Sequence, residues 1–323
     1  MKQVSLDHGL TLKFQSEVAD ALAEGRPVVA LESNVITHGL RYPQNIDCVQ
    51  RMETAVRDTG AVPATIFVDE GAVIYGSDER LLARFATSEG IPKVSSRDLP
   101  FVLAKGGTGA TTVASSLVCA QWAGISIFSS AGIGGVHRGA THSMDVSADL
   151  IQFTRSRVTT VCAGAKMILD LPLTLEFLET HSVPLVGYKS DYFPAFFCES
   201  SGLKCPQRLD DPADIARAII LHAASGAPGG VVVTVPPRPE DAVPLELAEA
   251  ALTTALQQAQ SENVTGPGLT KFIMRALDTA THGKTSRANA AVLVSTAQTA
   301  GDIAVALAEI APQRNAIFQP VNS

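Results

Sequence analysis

The chain has 323 residues, enough for one large domain or two, and 46 % of them are apolar, so a sizeable core is available. A net charge of -7 argues against a protein that wraps nucleic acid, which needs concentrated Lys and Arg, but leaves room for a small phosphorylated ligand at a local positive site. No stretch of about 18 uncharged apolar residues predicts a membrane span, and the 18 % of charged residues is below the roughly 25 % usual in soluble domains, which favours burial of further surface by self-association.

The five cysteines (Cys48, Cys119, Cys162, Cys198, Cys205) are scattered and form no CxxC pair. An odd count in a chain this long fits a reducing cytoplasm better than a disulfide scaffold. The opening MKQVSLDHGLTLKF lacks the apolar core of a signal peptide.

In chain order, Phe14, Val18 and Leu22 predict a helix over 14–24, stopped by Gly25-Arg26-Pro27. Val28–Leu31 reads as a buried strand whose end carries Glu32, a carboxylate exposed either to a ligand or simply to solvent. A helix over 45–58 precedes a hairpin, 64–68 against 72–75, turning at Asp69-Glu70-Gly71. After a helix over 78–88, Lys93 follows Pro92 close to Arg97 and two serines, as an anion site or a solvated loop. Gly106-Gly107-Thr108-Gly109 precedes a helix over 111–123 but lacks the endings of a P-loop or a dinucleotide turn.

Two strand–turn–helix units follow, the first breaking from Ile125–Phe128 into Ser129-Ser130-Ala131-Gly132, the second from Val158–Cys162 into Ala163-Gly164-Ala165 and a helix expected from Lys166. Between the two units lie His137, Arg138, His142, Asp145, Asp149 and, counting Gly132, four glycines, a density typical of an active site. Pro184–Tyr188 reads as a strand, Pro194-Ala195-Phe196-Phe197 as a pocket wall or an internal plug, and Gly230–Val235 as a strand after a helix over 211–224. Helical patterns over 240–260, 269–281 and 286–310 complete the chain. The pattern predicts a three-layer α/β/α fold, with a mixed, largely parallel central sheet and a helical C-terminal portion, in a single domain over 1–323.

No G-x-S-x-G elbow and no HExxH helix occur, which removes two common hydrolase chemistries. The oxygen-rich surroundings of Asp145 suit Mg or Mn better than zinc. Lys166, flanked by Ala165 and Met167, is expected to be partly desolvated. Desolvation and a second cation such as Lys93 both favour a free amine able to form an imine. The alternative is a lysine at a helix start reaching into water.

The segments ALESNVITHGLRYPQN (30–45), PATIFVDEGAVIYG (63–76), KVSSRDLP (93–100), GATTVASSL (109–117), GIGGVHRGATHSMDVSADL (132–150), VCAGAKMILDL (161–171) and VPLVGYKSDYFPAFFCESSG (183–202) resemble the pseudouridine-5'-phosphate glycosidase family, also called the indigoidine synthase A-like family. The resemblance implies reversible cleavage of the C–C glycosidic bond between ribose 5-phosphate and uracil. It makes Glu32 the general acid and Lys166 the imine-forming nucleophile. It gives substrate contacts to Lys93, Val113, Ser147, Ala148 and Asp149, phosphate contacts to Ser130 and His137, a base contact to Asn289, and Mn2+ (or Mg2+) to Asp145. It also implies a homotrimer. This chain departs from the family pattern at Asn34, Ser130-Ala131, Glu199, Thr270-Lys271 and Ser295-Thr296, while Glu32, Lys93, Lys166 and Asp145 remain, so the resemblance implies intact imine chemistry with an altered base-recognition side. A C-ribosyl synthase acting on another carbon nucleophile is the alternative, and a non-catalytic sugar-phosphate binder a more distant one.

Overall fold

An apolar run such as Val28–Leu31 has no face to give to water, so it is stable as a strand only where both faces are covered. In the computed structural model, which describes residues 1–264 and 267–311, it is the third strand of a large sheet. The chain begins β1 (Lys2–Ser5), β2 (Thr11–Phe14), α1 (Ser16–Glu24), β3 (Val28–Glu32), α2 (Gln44–Asp58), β4 (Val62–Asp69), β5 (Ala72–Tyr75) and α3 (Glu79–Thr87). It continues β6 (Lys93–Val94), α4 (Leu99–Ala104), β7 (Gly109–Thr111), α5 (Val113–Trp122), β8 (Ile127–Ser129), β9 (Val136–His137), α6 (Ala140–Ser143) and α7 (Ala148–Phe153). Next come β10 (Thr159–Cys162), β11 (Leu169–Asp170), α8 (Leu171–Thr180), β12 (Leu185–Tyr188), β13 (Gln207–Leu209), α9 (Pro212–Ala224) and β14 (Val232–Thr234). Three helices end the described chain: α10 (Leu245–Ser261), α11 (Pro267–Ala280) and α12 (Lys284–Ile310).

The strand order is β1-β2-β5-β4-β3-β8-β10-β14-β12-β13, with β7 on β4 and β6 on β7. From β4 to β13 every neighbouring pair in that order is parallel. The β4–β5 hairpin is antiparallel and turns at Glu70 and Gly71, both at positive φ, as an acidic glycine turn requires. The sheet is therefore mixed and largely parallel.

Helices cover both faces. On one, α12 packs on β3, β8 and β10 and is flanked by α2 and α9; on the other, α5 packs on β3 and β8 with α7 beside it. Helices α2 and α12 run parallel: Cys48 Sγ lies 4.0 Å from Ala290 O, and a side chain at Gly301 would collide with Thr59. Both start at the carboxyl end of the strands, because α2 follows β3 directly. Among the described residues α12 is the helix long and apolar enough to cross a membrane; here it covers the sheet, with Val292, Leu293, Ile303 and Leu307 buried.

The helix expected over 14–24 starts at Ser16, because Phe14 ends β2 and pairs with Tyr75, and a second predicted element differs more. Lys166 does not open a helix: it sits in an irregular segment before β11, and the helix begins at Leu171, where the Asp170 carboxylate accepts the Leu173 N–H at 3.0 Å. Met167, Ile168 and Leu169 are buried in the core rather than forming one face of a helix. The Pro194–Phe197 loop is an internal plug, with Phe196 and Phe197 buried and Phe196 against Gly132.

Candidate active site

The chain leaves β3 for β4 on one side and returns later to place β8 on the other. Open α/β sheets bind ligands at the carboxyl end of such a reversal, where the two outgoing connections part. Register determines which residues stand there. Leu31 is level with Ser129, and Ser129 with Val161. Glu32, one residue on, is therefore level with Ser130, and Ser130 with Cys162.

Across the reversal the Ser130 hydroxyl donates to Glu32 Oε1 at 2.6 Å, while the Ser130 N–H donates to Val161 O at 3.1 Å and extends the pairing. Ser130 is wholly buried, and its other near acceptor is Gly132 O at 3.3 Å. In this structure the Ser130 hydroxyl is engaged by the Glu32 carboxyl group and so orients the acid, a contact that stands beside the phosphate role expected for it.

Glu32 is 8 % exposed. Burial pushes its carboxyl above the usual range, because the charged form loses water. The Ser130 bond and then the charge of Lys166 oppose that rise, Asp149 adds to it, and Lys93 opposes it more weakly. The four groups the sequence offered as acid, nucleophile and substrate contacts thus share one electrostatic environment.

Asp149, in the first turn of α7, is buried and both its oxygens are engaged. Oδ1 accepts the Ala114 N–H at 3.0 Å, at the start of α5, and Oδ2 accepts the Gly134 N–H at 2.8 Å. Ser147 caps the same turn, accepting the Asp149 N–H at 3.2 Å, and its own N–H donates to Gly135 O at 3.0 Å. The backbone comes so close that a Cβ at Gly134 would lie 2.2 Å from Ser147 Oγ and 2.8 Å from Asp149 Oδ2. Ser147, Ala148 and Asp149 therefore hold the glycine loop to α5, next to Val113, the buried first residue of that helix. The half-buried Lys166 is anchored to the same loop through its N–H, which donates to Ile133 O at 3.2 Å.

His137 and Asp145 stand at the neck of an excursion that leaves and rejoins the site. The His137 N–H donates to Asp145 O at 3.0 Å, and the side chains approach at 3.8 Å between Nδ1 and Oδ2. β9 pairs with β11 so that His137 lies opposite Leu169, three residues after Lys166. Arg138, which spacing alone did not single out for a role, donates to Met167 O at 3.2 Å and ties the excursion to the lysine loop. The Asp145 side chain is 60 % exposed, and no cluster of three His, Cys, Asp or Glu able to hold a metal occurs among the described residues. One exposed carboxylate with room for water fits a largely hydrated Mg2+ or Mn2+ and does not fit a zinc cage.

Lys93 lies at the exposed start of β6. Asn289 lies near the start of α12, at the carboxyl end of the sheet, and its amide oxygen is buried with no hydrogen-bond partner. Asn34, two residues past Glu32, has the same property and was not picked out by sequence as a site residue.

A family model described as "Indigoidine synthase A like protein" matches residues 17–306. The chain belongs to the indigoidine synthase A-like family. It is 54 % identical over 315 residues to a pseudouridine-5'-phosphate glycosidase of Dickeya dadantii, covering 98 % of this chain and 99 % of that one. It is 45 % identical over 293 residues to one of Geobacillus kaustophilus, covering 91 % and 97 %. Among solved structures, a prealnumycin C-glycosynthase in complex with ribulose 5-phosphate superposes with a TM-score of 0.88 at 43 % identity, covering 93 % of this chain and 98 % of that one. An indigoidine synthase A-like protein from Thermotoga maritima superposes with a TM-score of 0.84 at 32 % identity, covering 95 % and 100 %.

The departures from the family pattern sort by what they touch. Glu199 is exposed, and the Lys271 side chain lies outside the described residues. The hydroxyls of Ser295 and Thr296 both donate to Val292 O, inside their own helix. Ser130 serves Glu32. Asn34 alone among these described departures leaves a buried polar atom unpaired.

Proposed function

We propose that this chain is a pseudouridine-5'-phosphate glycosidase, converting pseudouridine 5'-phosphate and water reversibly into uracil and ribose 5-phosphate. The observation that carries the proposal is Glu32: a buried carboxyl, raised in pKa and in the field of Lys166, at the switch point of a chain 54 % identical to a protein of that name. A buried carboxyl whose pKa is raised holds its proton more tightly than an exposed one and suits the role of general acid.

The residues divide the reaction as follows. Glu32 gives its proton to the ribose ring oxygen as the Lys166 amine adds to C1, and the C1–O bond breaks. The added nitrogen then loses its extra proton to the Glu32 carboxylate, its lone pair forms a C1=N bond as the C1–C5 bond to uracil breaks, and the electron pair released at C5 takes up a proton from Glu32 or water. Water adds to the imine, expels Lys166, and leaves ribose 5-phosphate as the open aldehyde. A carbon leaving group offers no oxygen or nitrogen to protonate, which is why two carboxylates do not suffice here.

The sugar lies against the Ser147–Asp149 turn and Val113 in this reading, with Lys93 and His137 toward the phosphate and Asn289 toward the base. Asp145 would hold a hydrated Mn2+ or Mg2+, which supplies positive charge to offset the phosphate. A cytoplasmic location is supported by five unpaired cysteines, four of them buried. A homotrimer is supported by the low charge content and by exposed apolar side chains such as Tyr42 and Phe101, and sedimentation tests it.

The test is turnover of pseudouridine 5'-phosphate with Mn2+. Release of uracil and ribose 5-phosphate in equal amounts is expected, with the reverse synthesis from those two compounds. The likeness to a C-glycosynthase keeps one second reading: no product from uracil, but a C-ribosyl product from an aromatic acceptor, would replace the glycosidase with a synthase.

A further inference from the structure

Buried polar groups without a partner are uncommon in native proteins and concentrate where a ligand completes them. In this chain the buried unpaired side-chain atoms at the carboxyl end of the sheet include two amide oxygens, on Asn34 and Asn289. A hydroxyl can rotate to find a partner, but a buried amide oxygen can only accept. The backbone at Asn34 is fixed: Asn34 precedes the turn Val35–Gly39, in which Ile36 N–H donates to Ser33 O at 3.0 Å and Leu40 N–H to Val35 O at 3.3 Å, while its side chain makes no capping hydrogen bond. Asn45 locks the turn by donating to Ile36 O at 2.8 Å. The backbone that carries the amide is therefore set two residues from the acid, just past the carboxyl end of β3.

A uracil ring joined through C5 keeps both of its ring N–H groups free, whereas an aromatic carbon acceptor without ring nitrogen has no such donor. We propose that Asn34 is a specificity residue whose amide oxygen accepts a ring N–H of the aglycone, so that the enzyme selects imide-bearing heterocycles over carbon nucleophiles lacking that donor. This rests on the glycosidase reading and assigns it a substrate class. The proposal also accounts for a departure from the family pattern that otherwise leaves an acceptor buried for nothing.

The test uses the full-length enzyme in the synthetic direction with ribose 5-phosphate and uracil, 1-methyluracil or 3-methyluracil. Asn34→Leu, similar in size, should lose on the order of tenfold to a hundredfold in kcat/KM with uracil, the effect of one buried hydrogen bond. Asn34→Asp, which keeps the acceptor oxygen, should lose less. On one methylated uracil the wild type and Asn34→Leu should be equal, because the N–H read by Asn34 is gone. Reductive trapping of ribose 5-phosphate on Lys166 and thermal stability should be unchanged or higher in Asn34→Leu. Equal uracil kinetics in wild type and Asn34→Leu would overturn the proposal, as would the same loss on both methylated compounds. No product from uracil in the wild type, with sugar still trapped on Lys166, would overturn the glycosidase reading beneath it.

Discussion

Ser130 Oγ lies 2.6 Å from Glu32 Oε1 across the β3–β8 reversal, joining the ends of two strands that diverge in sequence by 98 residues. This bond stabilises the carboxylate form against the burial that disfavours it. Removing it in Ser130→Ala should raise the Glu32 pKa further and free the carboxyl to rotate. The alkaline limb of kcat/KM should move to higher pH, with about a tenfold loss in rate at neutral pH. Ser130→Thr should restore both. A pH profile with an unmoved alkaline limb in Ser130→Ala would contradict the assignment of Glu32 as the acid.

Glu32 also costs stability when it ionises. Its folded pKa lies above the ordinary 4.5, so the stability it confers is complete below that value and declines as pH rises through the folded pKa. Glu32→Gln, which keeps an oxygen for Ser130, should be the more stable protein at neutral pH, with an advantage that grows from about pH 4.5 upward. Its turnover should fall on the order of a hundredfold to ten-thousandfold. Thermal melts of both proteins across pH check the first point.

Asp149→Asn places an amide where two backbone N–H groups need acceptors. One of those bonds is lost, at about 1.5–3 kcal/mol for a bond to a charged group. The melting temperature should drop by several degrees, and KM for the sugar phosphate should rise because Gly134 and the start of α5 are no longer held together. Substitution of Gly134 itself by Ala should be harsher on activity, since its Cβ would displace both Ser147 and Asp149.

Much of this arrangement is legible in sequence, for identifiable reasons. Val28–Leu31 is an apolar run and Val158–Cys162 a β-branched one, both too short for helices; Glu32 follows the first directly and Lys166 follows the second after Ala163-Gly164-Ala165. Short strands such as β9, β11 and β13 have no pattern of their own and exist through their partners, so periodicity could not find them. The helix expected at Lys166 was suggested by Met167-Ile168-Leu169; the better signal was Asp170-Leu171-Pro172, a capping carboxylate with proline in the first turn. The task of Ser130 depended on strand register, and the isolation of Asn34 on atoms far away in the chain. Neither is a property of local sequence.

Divalent metal ions should matter through Asp145. Chelation should lower activity, and Mn2+ or Mg2+ should restore it. In Asp145→Asn the half-saturating metal concentration should rise on the order of tenfold or more, the effect of one contact to a charged group. Titration of activity against free metal measures it.

The covalent role of Lys166 is tested most directly by borohydride reduction in the presence of ribose 5-phosphate, followed by peptide mass analysis. The expected result is one reduced sugar phosphate attached to the peptide carrying Lys166, absent from Lys166→Ala and from samples without borohydride. An unmodified Lys166 in an enzyme that still turns over, or turnover surviving in Lys166→Ala, would contradict the imine mechanism.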